Sequence, residues 1–478
     1  MSTEGPLPWW AQRLTDLRRA RAWSAADLAC ELKKLRDGLP SVKSLAHMIQ
    51  MDWETGKHRP GPRYRLLLAA VYETDEQEIF GNRGSSGLFP QHAGKSGSGL
   101  SALADVQKPG WESAPDEVAT VVTGLWRADI EHQDTMASFW TADALSAPLG
   151  RWLLDPADHG VAGCGSRQVG RADVDAVWSM CTAFADADRR LGGGHARRAL
   201  ICYADDVVTP LLAGRYTDQI GRQLFAGVAR LCDIAGFMCF DSGDQGVGQR
   251  YFITALRMAK ASGDQALGAH ILADMSMQAH HQRHAYEAVA LADAGVAAAA
   301  KSASASALAR CHAVRARALA QQGDAVGSGH ALNEAERALD RSGGDGEPLW
   351  MTFFTAQQLA AETMYAAANM RRPDLVRRHA ASALATDEGM QRREVLATAT
   401  LAASYLPVED AIAADADADV NQACEVLRGV LPVVGSLTST RALDLVGAVR
   451  GRLAAYPHVA AVPELERDLD LCMAGTSS

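Results

Sequence analysis

A turn position recurs every 40 residues in the middle of the chain, and that period limits the fold more than any single motif. Gly243, Arg283 and Gly323 mark the turn. In this register Gly236, Ser276 and Ala316 form one column, Gly248, Ala288 and Ser328 a second, and Ala255, Gly295 and Ala335 a third. A fourth column, Phe252, Ala292 and Leu332, is mostly apolar. Small residues at matched positions of two successive helices let the backbones approach closely. The pattern predicts helix pairs that stack on their neighbours.

The flanking sequence agrees. From Asp116 onward, Ala- and Leu-rich stretches alternate with short turns such as DSGDQG, QQGDAVG and NMRRPD. No segment shows the period-two alternation of strands, and aromatics make up only 6% of the chain. The expected fold class is all-α. The columns resemble the tetratricopeptide repeat, although 40 residues exceeds that family's usual ~34. The resemblance covers residues 229–341; the register is lost after SGGDGEP (342–348), and the helical repeat region is expected over 116–474.

Two further regimes precede it. Residues 82–115 are rich in Gly, Ser and Pro and read as a flexible linker. Residues 9–81 read as a small domain of five short helices. WWAQRLTDLRRARAW forms the first, Ser24 caps the second and Ser41 caps the third, expected over Val42 to Glu54. Pro62 suits the first turn of a fourth, and DEQEIFG closes the domain.

The stretch Trp53-Glu54-x-Gly56 with Arg59-Pro60 resembles the signature of the Cro/repressor-type helix-turn-helix family. In that family the helix before the signature enters the major groove and its polar side chains reach base edges. Carried over, Leu45, Met48 and Ile49 turn inward, and Lys43, Ser44, His47, Gln50 and Met51 face outward. The resemblance implies double-stranded DNA as partner, with Lys43, Ser44, His47, Gln50, Lys57 and Arg59 as contacts. Two features depart from the family: Ala46-His47 at the start of the reading helix, and Asp52 where a basic residue is usual. The turn before that helix is also longer.

Charge supports the same division. The net charge of -10 splits into 13 Lys+Arg against 11 Asp+Glu over residues 1–83 and 34 against 46 beyond, or +2 and -12. Only the N-terminal piece approaches a phosphate backbone without strong repulsion.

In a tetratricopeptide solenoid the first helix of each pair lines the concave face. The register then places Arg230, His270 and Arg310 in one column, with Phe237, Phe240, Met277, His280, His281 and Arg317 facing the same groove. Cations and aromatics in an acidic domain suit an anionic or aromatic ligand or a peptide carboxylate. The alternative is that they are partly exposed and pair with Asp233, Asp241 and Asp274.

Other candidates carry less. His280 and His284 lie one helical turn apart but have no third ligand at a matching spacing, so no metal is expected. DADAD (Asp415 to Asp419) lacks the Gly and the final Glu of a calcium loop. GCGSRQVG and LGGGHARRA lack dinucleotide or P-loop spacing and read as loop glycines. No catalytic constellation is present, so neither an enzyme nor a cofactor is expected. Nine scattered cysteines without a Cys-x-x-Cys pair suit a reducing cytoplasm. No run of about 18 apolar residues predicts a membrane span.

The order of the parts is similar to that of regulators of filamentous, high-GC actinobacteria, associated with development and secondary metabolism. That resemblance implies a cytoplasmic transcription regulator, a homodimer held by its repeats and responding to a small-molecule or peptide effector. The alternative is a scaffold that binds a protein partner and no DNA.

Overall fold

The computed structural model describes residues 8–21, 23–35, 40–57, 60, 64, 68, 71–72, 79, 111, 115–131, 139–156, 158, 160–344, 347–385, 390–407 and 416–474. It divides into two compact units, Met1–Gly97 and Ser98–Ser478. Both are helical, and the second adds one short antiparallel ribbon, β1 (Gly163–Cys164) against β2 (Arg215–Tyr216). The sequence predicted no strand. Part of GCGSRQVG forms this ribbon, because a side chain at Gly165 would lie 1.9 Å from the Ala213 carbonyl oxygen.

In the first unit α1 (Trp9–Ala20), α2 (Ala25–Leu35) and α3 (Val42–Met48) enclose Leu14, Leu28, Leu32, Leu45, Ile49 and Trp53, with Leu68, Tyr72 and Ile79 completing the core. Ser24 and Asp27 cap α2 reciprocally. The Ser24 N–H donates to Asp27 Oδ2 at 2.7 Å, and the Asp27 N–H donates to Ser24 Oγ at 3.2 Å. Ser41 Oγ accepts from the Ser44 N–H at 3.2 Å and caps α3. The expected continuous helix to Glu54 changes pitch at Ile49 into a π turn, Ile49–Trp53, in which the Glu54 N–H donates to the Ile49 carbonyl at 2.9 Å.

Of the expected linker, 82–110 and 112–114 lie outside the described residues. Trp111 packs under the Arg257 guanidinium, 5.7 Å from the ring centroid, and Pro115 already begins a helix. The second unit starts with α4 (Pro115–Glu131), α5 (Asp143–Leu154), α6 (Arg171–Leu191), α7 (Gly193–Tyr203) and α8 (Thr209–Leu212). Antiparallel pairs follow: α9 (Asp218–Ser242) with α10 (Gln245–Ser262), α11 (Gln265–His281) with α12 (Ala285–Ala299), and α13 (Ala305–Gln322) with α14 (Ala325–Leu339). Next come α15 (Ala356–Asn369), α16 (Pro373–Leu384), α17 (Gln391–Tyr405), α18 (Ala416–Arg428), α19 (Leu431–Val434), α20 (Thr440–Leu453) and α21 (Ala461–Ala474).

The turn columns have a common backbone. Gly243, Arg283 and Gly323 all take left-handed conformations, with φ of 95°, 66° and 88°. Arg371, at φ 54°, closes α15 in the same conformation and lies 48 positions after Gly323, eight more than the earlier interval. The register that the sequence loses after residue 342 therefore resumes beyond an insertion. The small-residue columns form the seam between paired helices: a side chain at Gly248 would lie 3.0 Å from the Gly236 carbonyl oxygen, and Ser276 Oγ donates to the Ala288 carbonyl at 2.7 Å.

Helix α9 is long and apolar enough by composition to cross a membrane, yet 89% of its apolar window is buried within the unit. It is a core helix that shows one stripe to a cavity.

The array also closes on itself. Arg392 of α17 donates to both oxygens of Asp188 on α6, at 3.0 and 2.8 Å, and to Asp241 of α9 at 3.1 Å. Arg441 and Ser439 donate to Asp241 Oδ1 at 2.9 and 2.8 Å, and the Gly193 N–H donates to its Oδ2 at 3.1 Å. The LGGG glycines permit this approach: a side chain at Gly193 would meet the Met238 carbonyl oxygen at 2.3 Å. The Asp188, Asp241 and Arg392 side chains are buried. Burial raises the Asp241 carboxyl, but Arg392 and Arg441 outweigh it and bring its pKa down to about 2.

Candidate functional site

The face enclosed by this closure is a cavity of about 470 Å³. Its wall is built from equivalent positions of the first helix of each pair. One column is Arg230, His270, Arg310 and, after the eight-residue shift, Gln358; a second is Ile234, Asp274, Val314 and Glu362; a third is Phe237, Met277, Arg317 and Tyr365. Their spacing of four and then three residues keeps them on one stripe of each helix. Helices α6, α17 and α20 supply further parts of the wall.

Eight of the nine residues assigned to the groove from sequence line this cavity: Arg230, Phe237, His270, Met277, His280, His281, Arg310 and Arg317. Phe240 does not. It is buried behind the wall, where the Arg441 guanidinium stacks 4.3 Å from its ring centroid. Pairing with the aspartates and exposure to the cavity are not alternatives here, because the same side chains do both.

At the cavity floor Arg230 binds Asp233, and Arg310 donates to Asp274 at 2.5 Å and to the His270 carbonyl at 2.9 Å. His270 lies between them, its Nε2 2.9 Å from Arg230 Nη1. Burial and the cation of Arg310 hold the His270 pKa well below its usual value, so the ring is neutral. Burial raises the Asp233 carboxyl.

Asp233, His270 and Asp274 could together offer a metal ion three ligand atoms. The donor set does not fit one: two arginines already neutralise the two carboxylates at contact distance, and a divalent ion would add two charges to a balanced buried group.

Phe353 and Phe354, also in the wall, come from the insertion between α14 and α15. Phe353 covers His270 at 5.8 Å and Arg310 at 5.7 Å, while Trp350 beside it covers His270 at 5.1 Å and Arg230 at 5.6 Å. Sequence reasoning misses these aromatics because the insertion falls where the register is lost. It also misses Asp188, Arg392 and Arg441, which lie far from the repeats in sequence. The signal available for Tyr365 and Glu362 was the column itself, continued with the shift.

At the other end of the cavity stand His280, His281, Arg283 and Arg317. Burial and the cations Arg317 and Arg283 keep His280 neutral, well below its usual pKa. His281 stands at the exposed rim, and partial desolvation with Arg441 and Arg317 pushes it down to about 4. Asn369 Nδ2 lies 2.9 Å from His280 Nε2.

In the first unit Lys43, Ser44, His47, Gln50 and Lys57 are exposed, and Arg59 lies outside the described residues. The Trp53-Glu54-x-Gly56 signature is structural: Trp53 is in the core, Gly56 takes φ 71°, and Arg18 of α1 donates to both Glu54 oxygens at 2.6 and 2.7 Å. These contacts lock the π turn to α1 and orient α3.

Comparison with known proteins finds no matching family model, no similar curated protein and no similar solved structure.

Proposed function

We propose that the chain is a sequence-specific DNA-binding transcription regulator whose tetratricopeptide-like solenoid senses an effector in the enclosed cavity. The observation that carries the DNA part is the outward face of α3. Lys43, Ser44 and His47 are exposed on α3 and Gln50 on the π turn that follows it, and the two together are capped at Ser41 and anchored through Trp53 and the Arg18–Glu54 pair. These side chains supply donors and acceptors for base edges and phosphates, on a rigid mount. In this reading the first unit is a Cro/repressor-type helix-turn-helix, with Lys57 and Arg59 as phosphate contacts.

The regulator acts as a homodimer, which places two such helices one DNA turn apart. The effector acts on the cavity, whose wall includes Asp188, Arg392 and Arg441 of the closure. Ligand binding and closure of the array share side chains there, which gives the two a route to couple.

Selection of bound fragments from a genomic DNA pool by the full-length protein tests this reading, repeated with Lys43→Ala/Gln50→Ala. A two-fold-symmetric site enriched by the wild type and lost by the double variant is expected. Salt-sensitive binding without enrichment would sink it. One observation favours a second reading, a scaffold for a protein partner: Met51, on the same face, is 53% exposed and apolar.

A further inference from the structure

The charges of the cavity wall are met by the protein itself. Arg230 and Arg310 pair with Asp233 and Asp274, and Arg392 and Arg441 with Asp188 and Asp241. Arg189 is held by Asp186 at 2.5 Å, and Arg317 Nη1 lies 3.6 Å from Glu362 Oε2. Arg283 and Asp444 act with opposite sign on His281 at the rim, and Arg393 has partners of its own, Gln358 among them. A ligand with net charge would carry an uncompensated charge into a desolvated wall. The wall suits a neutral molecule.

Hydrogen bonding, unlike charge, is left incomplete. Among the described residues, His280 Nδ1, Arg317 Nε and Glu362 Oε2 are buried without a hydrogen-bond partner, and all three side chains line the cavity. His280 is 8% exposed and Glu362 3%. With Asn369 donating to His280 Nε2 at 2.9 Å, the neutral ring carries its proton on Nδ1 and offers a donor. Arg317 Nε–H is a second donor, and stacking of the guanidinium over Tyr365 at 4.9 Å holds it in place. Glu362 Oε1 accepts from Gln358 Nε2 at 3.3 Å, which leaves Oε2 as an acceptor. Glu362, Tyr365 and Asn369 follow one another at three and four residues, on one stripe of α15. Buried polar atoms ordinarily find partners, and here a donor and an acceptor stand side by side without one.

We propose that Arg317 and Glu362 bind a small neutral molecule through an amide group, a primary amide or a lactam. The amide carbonyl accepts from Arg317 Nε–H and the amide N–H donates to Glu362 Oε2, while His280 Nδ1–H serves a further acceptor on the same molecule. The apolar body lies along Met277, Val314 and Leu396. A carboxylate in the same place would face Glu362, and an ammonium would face Arg317, so the wall rejects both charged counterparts. The cavity volume of about 470 Å³ is that of a pocket for a drug-sized molecule. This inference deepens the effector-sensing reading and rests on it.

The test is isothermal titration of the full-length protein with two amides, 3-phenylpropanamide and 2-quinolinone. Their N-methylated forms, N,N-dimethyl-3-phenylpropanamide and N-methyl-2-quinolinone, keep the carbonyl and lose the N–H; 3-phenylpropanoate and 3-phenylpropylammonium carry the opposite charges. At least one amide is expected to bind about tenfold or more tightly than its N-methylated form, and 3-phenylpropanamide to outbind both charged counterparts. In Glu362→Gln, Arg317 loses its counter-charge, and 3-phenylpropanoate should gain on 3-phenylpropanamide by about tenfold, a change of selectivity that a structural role alone would not produce. If that variant fails to fold, the ligand series on the wild type decides alone. Equal binding of an N-methylated form and its parent in both pairs, a charged counterpart that binds the wild type as tightly as the amide, no binding of either amide, or an unchanged acid-to-amide ratio in folded Glu362→Gln would each overturn the proposal. DNA selection on the same preparation separates the two readings. Amide binding without DNA enrichment leaves this inference standing and removes the regulator; DNA enrichment without amide binding does the reverse.

Discussion

The second unit is held together in two different ways. Between α9 and α10, and again between α11 and α12, backbones meet across Gly236, Gly248, Ser276 and Ala288, and close packing with the Ser276–Ala288 hydrogen bond does the joining. Where α17 and α20 meet α6 and α9, the join is a buried ionic group of Asp188, Asp241, Arg392 and Arg441. The seam depends on the absence of atoms and tolerates little extra volume. The closure depends on complete pairing and tolerates little loss of charge. Only the closure reaches the cavity wall, so it is the join that a ligand can influence.

The largest effect is therefore expected at the closure. Arg392→Met leaves Asp188 buried without its cation and Asp241 with one fewer, and should lower stability by about 3–5 kcal/mol, read from urea or thermal unfolding. The pH dependence fixes the cause. In the wild type Asp241 titrates near 2, below its unfolded value of about 3.9, so its contribution is complete above about pH 4 and disappears as pH falls toward 2. In the variant Asp241 has lost one of its two cations, so acid costs that protein less. The gap between the two proteins should narrow on acidification; a gap independent of pH would assign the loss to packing.

The seam should respond to volume. Gly248→Ala places a methyl group 3.0 Å from the Gly236 carbonyl oxygen and 3.2 Å from the Phe240 amide nitrogen. Both neighbours are backbone and give little, so a loss of about 1–3 kcal/mol is expected, the same from pH 7 to 4. A neutral substitution would show that the helices of this pair can separate without loss.

The same contrast explains what could be read from sequence. Repetition writes the seam into columns, and the cavity wall follows because the lining side chains repeat with the same interval; Arg230, His270 and Arg310 were placed that way. An insertion of eight residues broke the interval, and with it went Phe353, Phe354, Glu362 and Tyr365. The closure left no periodic trace: Arg392 and Asp188 are 204 residues apart, and a single long-range pair has no signature in one sequence. In the first unit the caps Ser24 and Ser41 were legible because they act locally. The π turn was not, since its pitch depends on Trp53 and Glu54 being held by other helices.

The smallest expected effect separates stability from binding at one residue. Arg283 and Gly323 take the same left-handed turn in successive repeats, with φ of 66° and 88°. For a residue with a side chain that conformation costs about 1–2 kcal/mol, and glycine gives back about 0.5–1 kcal/mol through its freer unfolded chain. Arg283→Gly should then stabilise the protein by under about 1 kcal/mol, and Gly323→Arg should destabilise it by a similar amount, because nothing lies within 4 Å of the added Cβ and only the backbone responds. Matched thermal unfolding curves check the pair. Opposite signs would mean that Arg283 is retained against local stability, as a residue kept for the cavity rim would be. Equal signs would mean that its contacts outweigh its backbone, and would make Arg283 part of the join between repeats.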